Sequence, residues 1–302
     1  RGRAARPAGF RTGPLNGQDH AVPAEIVLAV LFSAMLHAGW NVIVKGGSEK
    51  LYESSLIALG GGVGVLPVLF FLPGPAVQSW GFLAASCCIH TTYYVVLSLA
   101  YRYTDMAYSY TIMRGTAPLL TSVLLFAAMD VRLTPGGFSG VFLLSCGILT
   151  LTVDAVRRGA FSAAGTGMAL GNALVIMAYT VSDGYGARAS GHAVSYVCWL
   201  HLLNAIPITA ALLLTKGRDY RNYVRGRWKT GMLGGLFGLG AYGISIWAMT
   251  KAPVPLVAAL RESSVIFGML FSVWLLKEKL TPARVAAVCL VAAGAICIRM
   301  LA

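Results

Sequence analysis

The stretch YSYTIMRGTAPLLTSVLLF, residues 108–126, is long and apolar enough to cross a bilayer, yet it carries Arg114 near its middle. In a span that starts near residue 105, a rise of about 1.5 Å per residue puts this arginine roughly 13 Å deep, close to the bilayer midplane. A central arginine costs about 2.5–3.5 kcal/mol even on the most lenient insertion scale, and such residues face a bundle interior or a wet cavity. There it either braces neighbouring helices through carbonyls or a carboxylate, or it meets an anionic group of a substrate.

The rest of the chain supports the membrane reading. Of its 302 residues 57% are hydrophobic and only 12% charged, far from the balance of a soluble globular domain. At about 20 apolar residues per crossing, ten spans fit with short connections. They fall at 24–45, 52–72, 79–101, 105–128, 134–153, 164–186, 193–215, 229–250, 254–276 and 282–300. The fold class expected is an all-α integral membrane protein of ten transmembrane helices. Residues 1–23 are polar and basic, with Arg1, Arg3, Arg6 and Arg11, and read as a disordered tail. The first span reads as a retained anchor rather than a cleaved signal peptide. The net charge of +13 sits in loops and tail, which argues for orientation and anionic lipid rather than nucleic acid. The six cysteines fall inside spans with no metal-ligand spacing and read as small packing residues.

The chain also resembles itself. At one offset Arg114 meets Arg261, Leu133-Thr134-Pro135 meets Leu280-Thr281-Pro282, and Gly147 meets Gly294. An intramembrane arginine repeated in register points to two five-span repeats, 24–153 and 164–300. An odd number of spans inserts the second copy in the opposite sense, an inverted pair common in secondary transporters, whose substrate site lies between the repeats near the midplane. By loop charge, dominated by TKGRDYRNYVRGRWK, both termini would lie outside.

Several polar residues inside spans are candidates for chemistry. Arg261 is shallower than Arg114 and within reach of snorkelling. Glu262 follows it directly, and adjacent helix positions diverge by about 100°, so the two are expected to look towards different neighbours. Glu262 and Asp183 are candidate proton carriers, since a desolvated carboxyl resists ionisation; Asp183, near the end of the sixth span, reads equally as a solvated helix-end residue. His37, Trp40 and Asn41 share one face of the first span, an inward polar stripe that lines a passage or bonds neighbouring helices. His90, Tyr93 and Tyr94 in the third span and Asn172 and Tyr179 in the sixth rank second, because aromatics at helical spacing more often pack than bind.

GLGAYG, with Gly238, Gly240 and Gly243, matches the dinucleotide pattern but lies inside an apolar span without a preceding strand. With Gly231, Gly234 and Gly235 it reads instead as a surface for close helix approach, and GGGVG at 60–64 is expected to loosen the second span similarly. No Walker A, H-E-x-x-H or G-x-S-x-G pattern is present, so neither an ATP motor nor a familiar hydrolytic centre is expected.

LHAGWNVIVK in the first span, MRGTAPLL in the fourth and LRESSVIFGMLFSVWLLKEKLTP in the ninth resemble the drug/metabolite transporter superfamily, in its ten-helix branch of two EamA domains. The resemblance implies an inverted-repeat fold, termini in the cytoplasm and a central cavity approached by Arg114, Arg261, Glu262, His37, Trp40 and Asn41. On orientation the resemblance is preferred to the loop charge. One departure stands out: MDVRLTP has Val131 where the first repeat's exit acid is expected and Asp130 one place earlier, leaving Glu278 to carry that acid in the second repeat.

These readings lead to a multi-pass secondary transporter of the cell membrane, not an enzyme. It is expected to export small metabolites, amino acids or related anionic and amphipathic compounds, by alternating access. Arg114, Arg261, His37, Trp40, Asn41, Tyr94 and Tyr179 are the expected substrate-binding residues, with proton coupling through Glu262 or Asp183. The partners are a small molecule and the bilayer, with no cofactor, metal or nucleic acid. The alternatives are an integral-membrane enzyme for lipid-linked substrates, using His37, His90 or His201 as general base, and a membrane scaffold or sensor.

Overall fold

In the computed structural model of the chain, residues 22–104, 106–157, 159–276 and 281–301 are described. The predicted tail lies almost entirely outside them, as does Glu278. The described residues form helices without strands: α1 (Ala24–Gly46), α2 (Lys50–Leu69), a 3₁₀ turn (Val77–Ser79), α3 (Trp80–Tyr103), α4 (Met106–Met129), α5 (Pro135–Arg157), α6 (Ala163–Ala189), α7 (Ala193–Met249), α8 (Val254–Arg261), α9 (Ser264–Leu276) and α10 (Pro282–Leu301). Nine helical stretches among the described residues are long and apolar enough to cross a membrane. The two Leu-Thr-Pro copies do the same local work. Thr134 and Thr281 accept from Gly137 N at 3.0 Å and Arg284 N at 3.3 Å, capping α5 and α10, each of which starts on proline.

Polarity is inverted relative to a soluble protein. Large apolar side chains such as Phe32, Phe71, Phe126 and Ile296 are exposed, while Arg114, Asp183, Asn172 and Glu262 are buried. That distribution suits a chain whose outer solvent is hydrocarbon and whose polar groups must find partners inside.

Two expected boundaries are corrected. The seventh and eighth spans and the basic stretch between them form one helical run, α7, interrupted only at Gly217 (φ 45°, ψ −110°). A straight helix would separate His201 from Gly235 by about 50 Å. Yet both adjoin Gly61 of α2, so the chain reverses at Gly217 and its two arms, 193–216 and 218–249, flank α2. The basic stretch is helical because one side of it packs: Tyr220 and Tyr223 set their rings edge-on against Tyr52 at 5.4 and 5.3 Å, and the Tyr220 and Ser55 hydroxyls are 2.7 Å apart.

The second correction concerns the ninth span, which breaks at Glu262–Ser263. Glu262, Ser263, Val265 and Ile266 each donate to the carbonyl three residues back, a tightened turn between α8 and α9. The Asp130 that replaces the expected exit acid adopts a positive φ of 51° and pairs with Arg132 at 3.0 Å on the surface.

Close approach between helices depends on glycine. Gly60 and Gly61 lie against Gly231 and Gly235, and Gly62 against Ala205, so GGGVG seats α2 between the arms of α7 rather than loosening it. A Cβ at Gly60 would lie within 3.0 Å of Met232 Cα and closer still to the Gly231 carbonyl, whereas one at Gly171 in α6 meets nothing within 4 Å. Gly171→Ala is therefore expected to hold or raise stability by up to about 1 kcal/mol through helix propensity. Gly60→Ala should lower it by about 1–3 kcal/mol through backbone collision, read from thermal unfolding in detergent.

Candidate functional site

The buried centre is built from three charges, one on α4 and two where α8 ends. Arg114, four residues before Pro118 in α4, donates from Nη1 to Glu262 Oε1 at 3.0 Å. Arg261, the last residue of α8, reaches the same oxygen from Nη2 at 3.4 Å. Both arginines and Glu262 are at most 3% exposed, so Arg261 does not snorkel and Arg114 does not face lipid. Arg261 and Glu262, expected to look towards different neighbours, meet instead through the length of the arginine side chain, whose Nη2 reaches the Glu262 carboxylate.

Two arginines on one carboxylate leave a local excess of positive charge, and the surroundings temper it with rings. The Arg114 guanidinium lies 5.3 Å from the Tyr110 ring centroid; that of Arg261 lies 5.6 Å from Tyr242 and 6.0 Å from Tyr179. Arg114 Nη2 also contacts His37 Nε2.

Beside this centre is a cavity of about 120 Å³. The structure brings six of the expected substrate residues to its wall: His37, Trp40, Tyr94, Arg114, Tyr179 and Arg261. Asn41 is not among them. Its amide turns back to the His37 carbonyl at 2.7 Å, and it borders a smaller adjoining cavity of about 30 Å³ that shares Trp40 and Tyr94. Asp183 also stands behind the wall, fully buried rather than solvated, because α6 runs on to Ala189. It accepts from Tyr196 at 3.0 Å and from Tyr242 at 2.5 Å, and Tyr242 carries the connection to the cavity. Asn172, a second-rank candidate, lies away from the cavity with its amide against Met113 Sδ at 3.2 Å.

His90, stacked on Tyr179 at 4.4 Å, and Tyr93 also line the cavity. Asn204 and Tyr242 were missed. Asn204 is a single amide in an apolar run, and Tyr242 sat inside the glycine pattern read only as a packing surface. The spacing Gly235, Gly238, Tyr242, three and four residues apart, was the available signal, because it puts two glycines and a tyrosine on one helix face. Two residues of the wall each keep a buried polar atom without a hydrogen-bond partner among the described residues: Arg261 its Nε, a donor, and Asn204 its Oδ1, an acceptor.

The comparisons with known proteins bear on the same half of the molecule. Residues 163–300 match the EamA-like transporter family. This EamA-like segment runs from the start of α6 into α10 and includes Asp183, Asn204, Tyr242, Arg261 and Glu262. It agrees with the superfamily resemblance carried by the ninth-span motif, and the nine apolar helical stretches among the described residues suit a multi-pass membrane protein. Among curated proteins none matches. A solved crystal structure described only as that of a protein is similar in fold at a TM-score of 0.70 and 18% identity, covering 92% of this chain and 96% of its own. The general-base alternative finds no support. His90 Nδ1 is 3.0 Å from the Ser86 carbonyl and hydroxyl, His201 Nδ1 donates to the Val197 carbonyl at 2.9 Å, and His37 faces Arg114.

Neutralising the carboxylate tests the charge centre directly. Glu262→Gln leaves two buried guanidiniums without a counter-charge and is expected to cost about 3–5 kcal/mol. Adding Arg114→Gln should recover part of that loss, so a double-mutant cycle on detergent melting should show strong coupling.

Proposed function

We propose that the chain is a secondary transporter that exports small metabolites bearing a carboxylate, amino acids or related anionic and amphipathic compounds, by alternating access. The observation that carries this reading is a pair of residues on one cavity wall, Arg261 and Asn204, each with a buried polar atom, Nε and Oδ1, that has no partner among the described residues. A ligand that satisfies both brings an acceptor, ideally anionic, to the arginine and a donor to the amide, as a carboxylate with a neighbouring amine does. Tyrosine and histidine rings around the cavity favour an ammonium at their faces and an apolar side chain between them. A helix interrupted at the site, as α8 and α9 are, is a recurring device of secondary transporters.

The same reading includes ten crossings arranged as two inverted repeats. Its support is a reciprocal contact: Gly147 of α5 lies against Val291 of α10, and Gly294 of α10 lies against Leu144 of α5. The offset that relates Arg114 to Arg261 exchanges these two contacts, as a two-fold axis does at a self-complementary interface. Asp183 is the proton site in this scheme and Glu262 the counter-ion that holds the two arginines. Asp183 faces His90 and Ser86 of α3, Tyr196 and Tyr242 of α7, so its protonation state is felt at the cavity through Tyr242.

Counterflow in proteoliposomes tests the substrate assignment. Arg261→Lys, which keeps the charge but loses the planar fork, should lower exchange of carboxylates at least tenfold, and Arg114→Ala should abolish it. Asn204→Leu should discriminate against amine-bearing substrates while sparing simple carboxylates. Equal flux in all forms would remove these residues from the site. For coupling, Asp183→Asn should retain exchange but lose the response to an imposed pH gradient; an unchanged response would exclude Asp183 as the proton site.

A further inference from the structure

The basic stretch at the reversal of α7 has a structure that transport through the central cavity does not use. Between Lys216 and Lys229 it holds six cations and a single acid, Asp219. Its helical face made of Tyr220, Tyr223 and Arg227 packs on the start of α2. There the buried Glu53 pairs with Arg227 and accepts from the Tyr223 hydroxyl at 2.7 Å. The opposite face carries Arg218, Arg221, Arg225 and Lys229, spaced three or four residues apart and all exposed. Trp228 joins them, 55% exposed and 5.8 Å from the Lys229 ammonium.

We infer that this face is a binding site for anionic phospholipid headgroups. The run α7 is apolar enough to cross a membrane, and on the proposed reading of ten crossings each of its arms does so, which puts the surface beside the reversal in the headgroup layer rather than open water. A helix with one packed face, one cationic face and a tryptophan at the boundary is built to lie in that layer. Glu53 determines which way it faces. By holding Arg227 and Tyr223 inward it fixes the remaining cations outward, so they form a stripe and not a diffuse charge. Headgroup phosphates bridging that stripe anchor the start of the arm 218–249, whose inner face, through Tyr242, walls the central cavity.

The test uses the purified full chain in detergent, with melting temperature followed as phosphatidylglycerol or phosphatidylcholine is added. Phosphatidylglycerol is expected to stabilise more strongly, by an amount that shrinks as salt is raised. The quadruple variant R218Q/R221Q/R225Q/K229Q should fold, because its packed face is intact, and should lose the preference, with affinity falling about fivefold per cation removed. The triple variant R218K/R221K/R225K should keep it. Equal stabilisation by the two lipids, a preference that survives in the quadruple variant, or full replacement of the lipid effect by soluble glycerol phosphate would each overturn the assignment. None of these outcomes depends on the identity of any transported substrate.

Discussion

Everything near the centre of this molecule is arranged around one carboxylate. Taking Glu262, Arg114 and Arg261 out of water carries a desolvation penalty that only near-ideal geometry offsets, and that geometry requires both guanidiniums to reach one oxygen. The span carrying Arg261 and Glu262 breaks beside this pair, in the tightened turn between α8 and α9. In α4, Pro118 removes the N–H that would have bonded the Arg114 carbonyl, loosening the helix just beside its charge. The irregular backbone is thus confined to the place where buried charge demands it, away from lipid.

A second constraint acts at the periphery and works through size instead of charge. Lipid offers no hydrophobic reward for bringing helices together, so close packing has to supply the contact energy. The glycines of α2, α5, α7 and α10 let backbones touch, and the arms of α7 close around α2 where they do. The cavity lies where that contact gives way to tyrosines and histidines, larger rings that keep the helices apart. Small residues at the seam and large ones at the cavity are the same packing rule applied with opposite volumes.

Much of this was legible from unusual residues in register. A midplane arginine and its counterpart 147 positions later pointed to the interior, and both arrive there. The Leu-Thr-Pro copies marked two helix starts because threonine caps and proline opens a helix. What could not be read was backbone irregularity: nothing in RESS announces a tightened turn. The basic stretch 216–229 looked like a loop because its charge hid a tyrosine face whose partner, Tyr52, lies far away in sequence. Asn204 was invisible for a related reason, being an ordinary amide made notable only by what surrounds it.

Arg114 and Glu262 stand 148 residues apart. At synthesis rates of about 5–20 residues per second, the arginine emerges roughly 7–30 s before its counter-ion exists. During that interval a growing chain holds a cation at membrane depth with no carboxylate to receive it. Water, headgroups or the insertion machinery must serve as its temporary host, and α2 likewise waits for the two arms that will enclose it. Assembly therefore runs in the order set by charge: the first half of the molecule enters the membrane provisionally and reaches its final form only when the second half delivers Glu262.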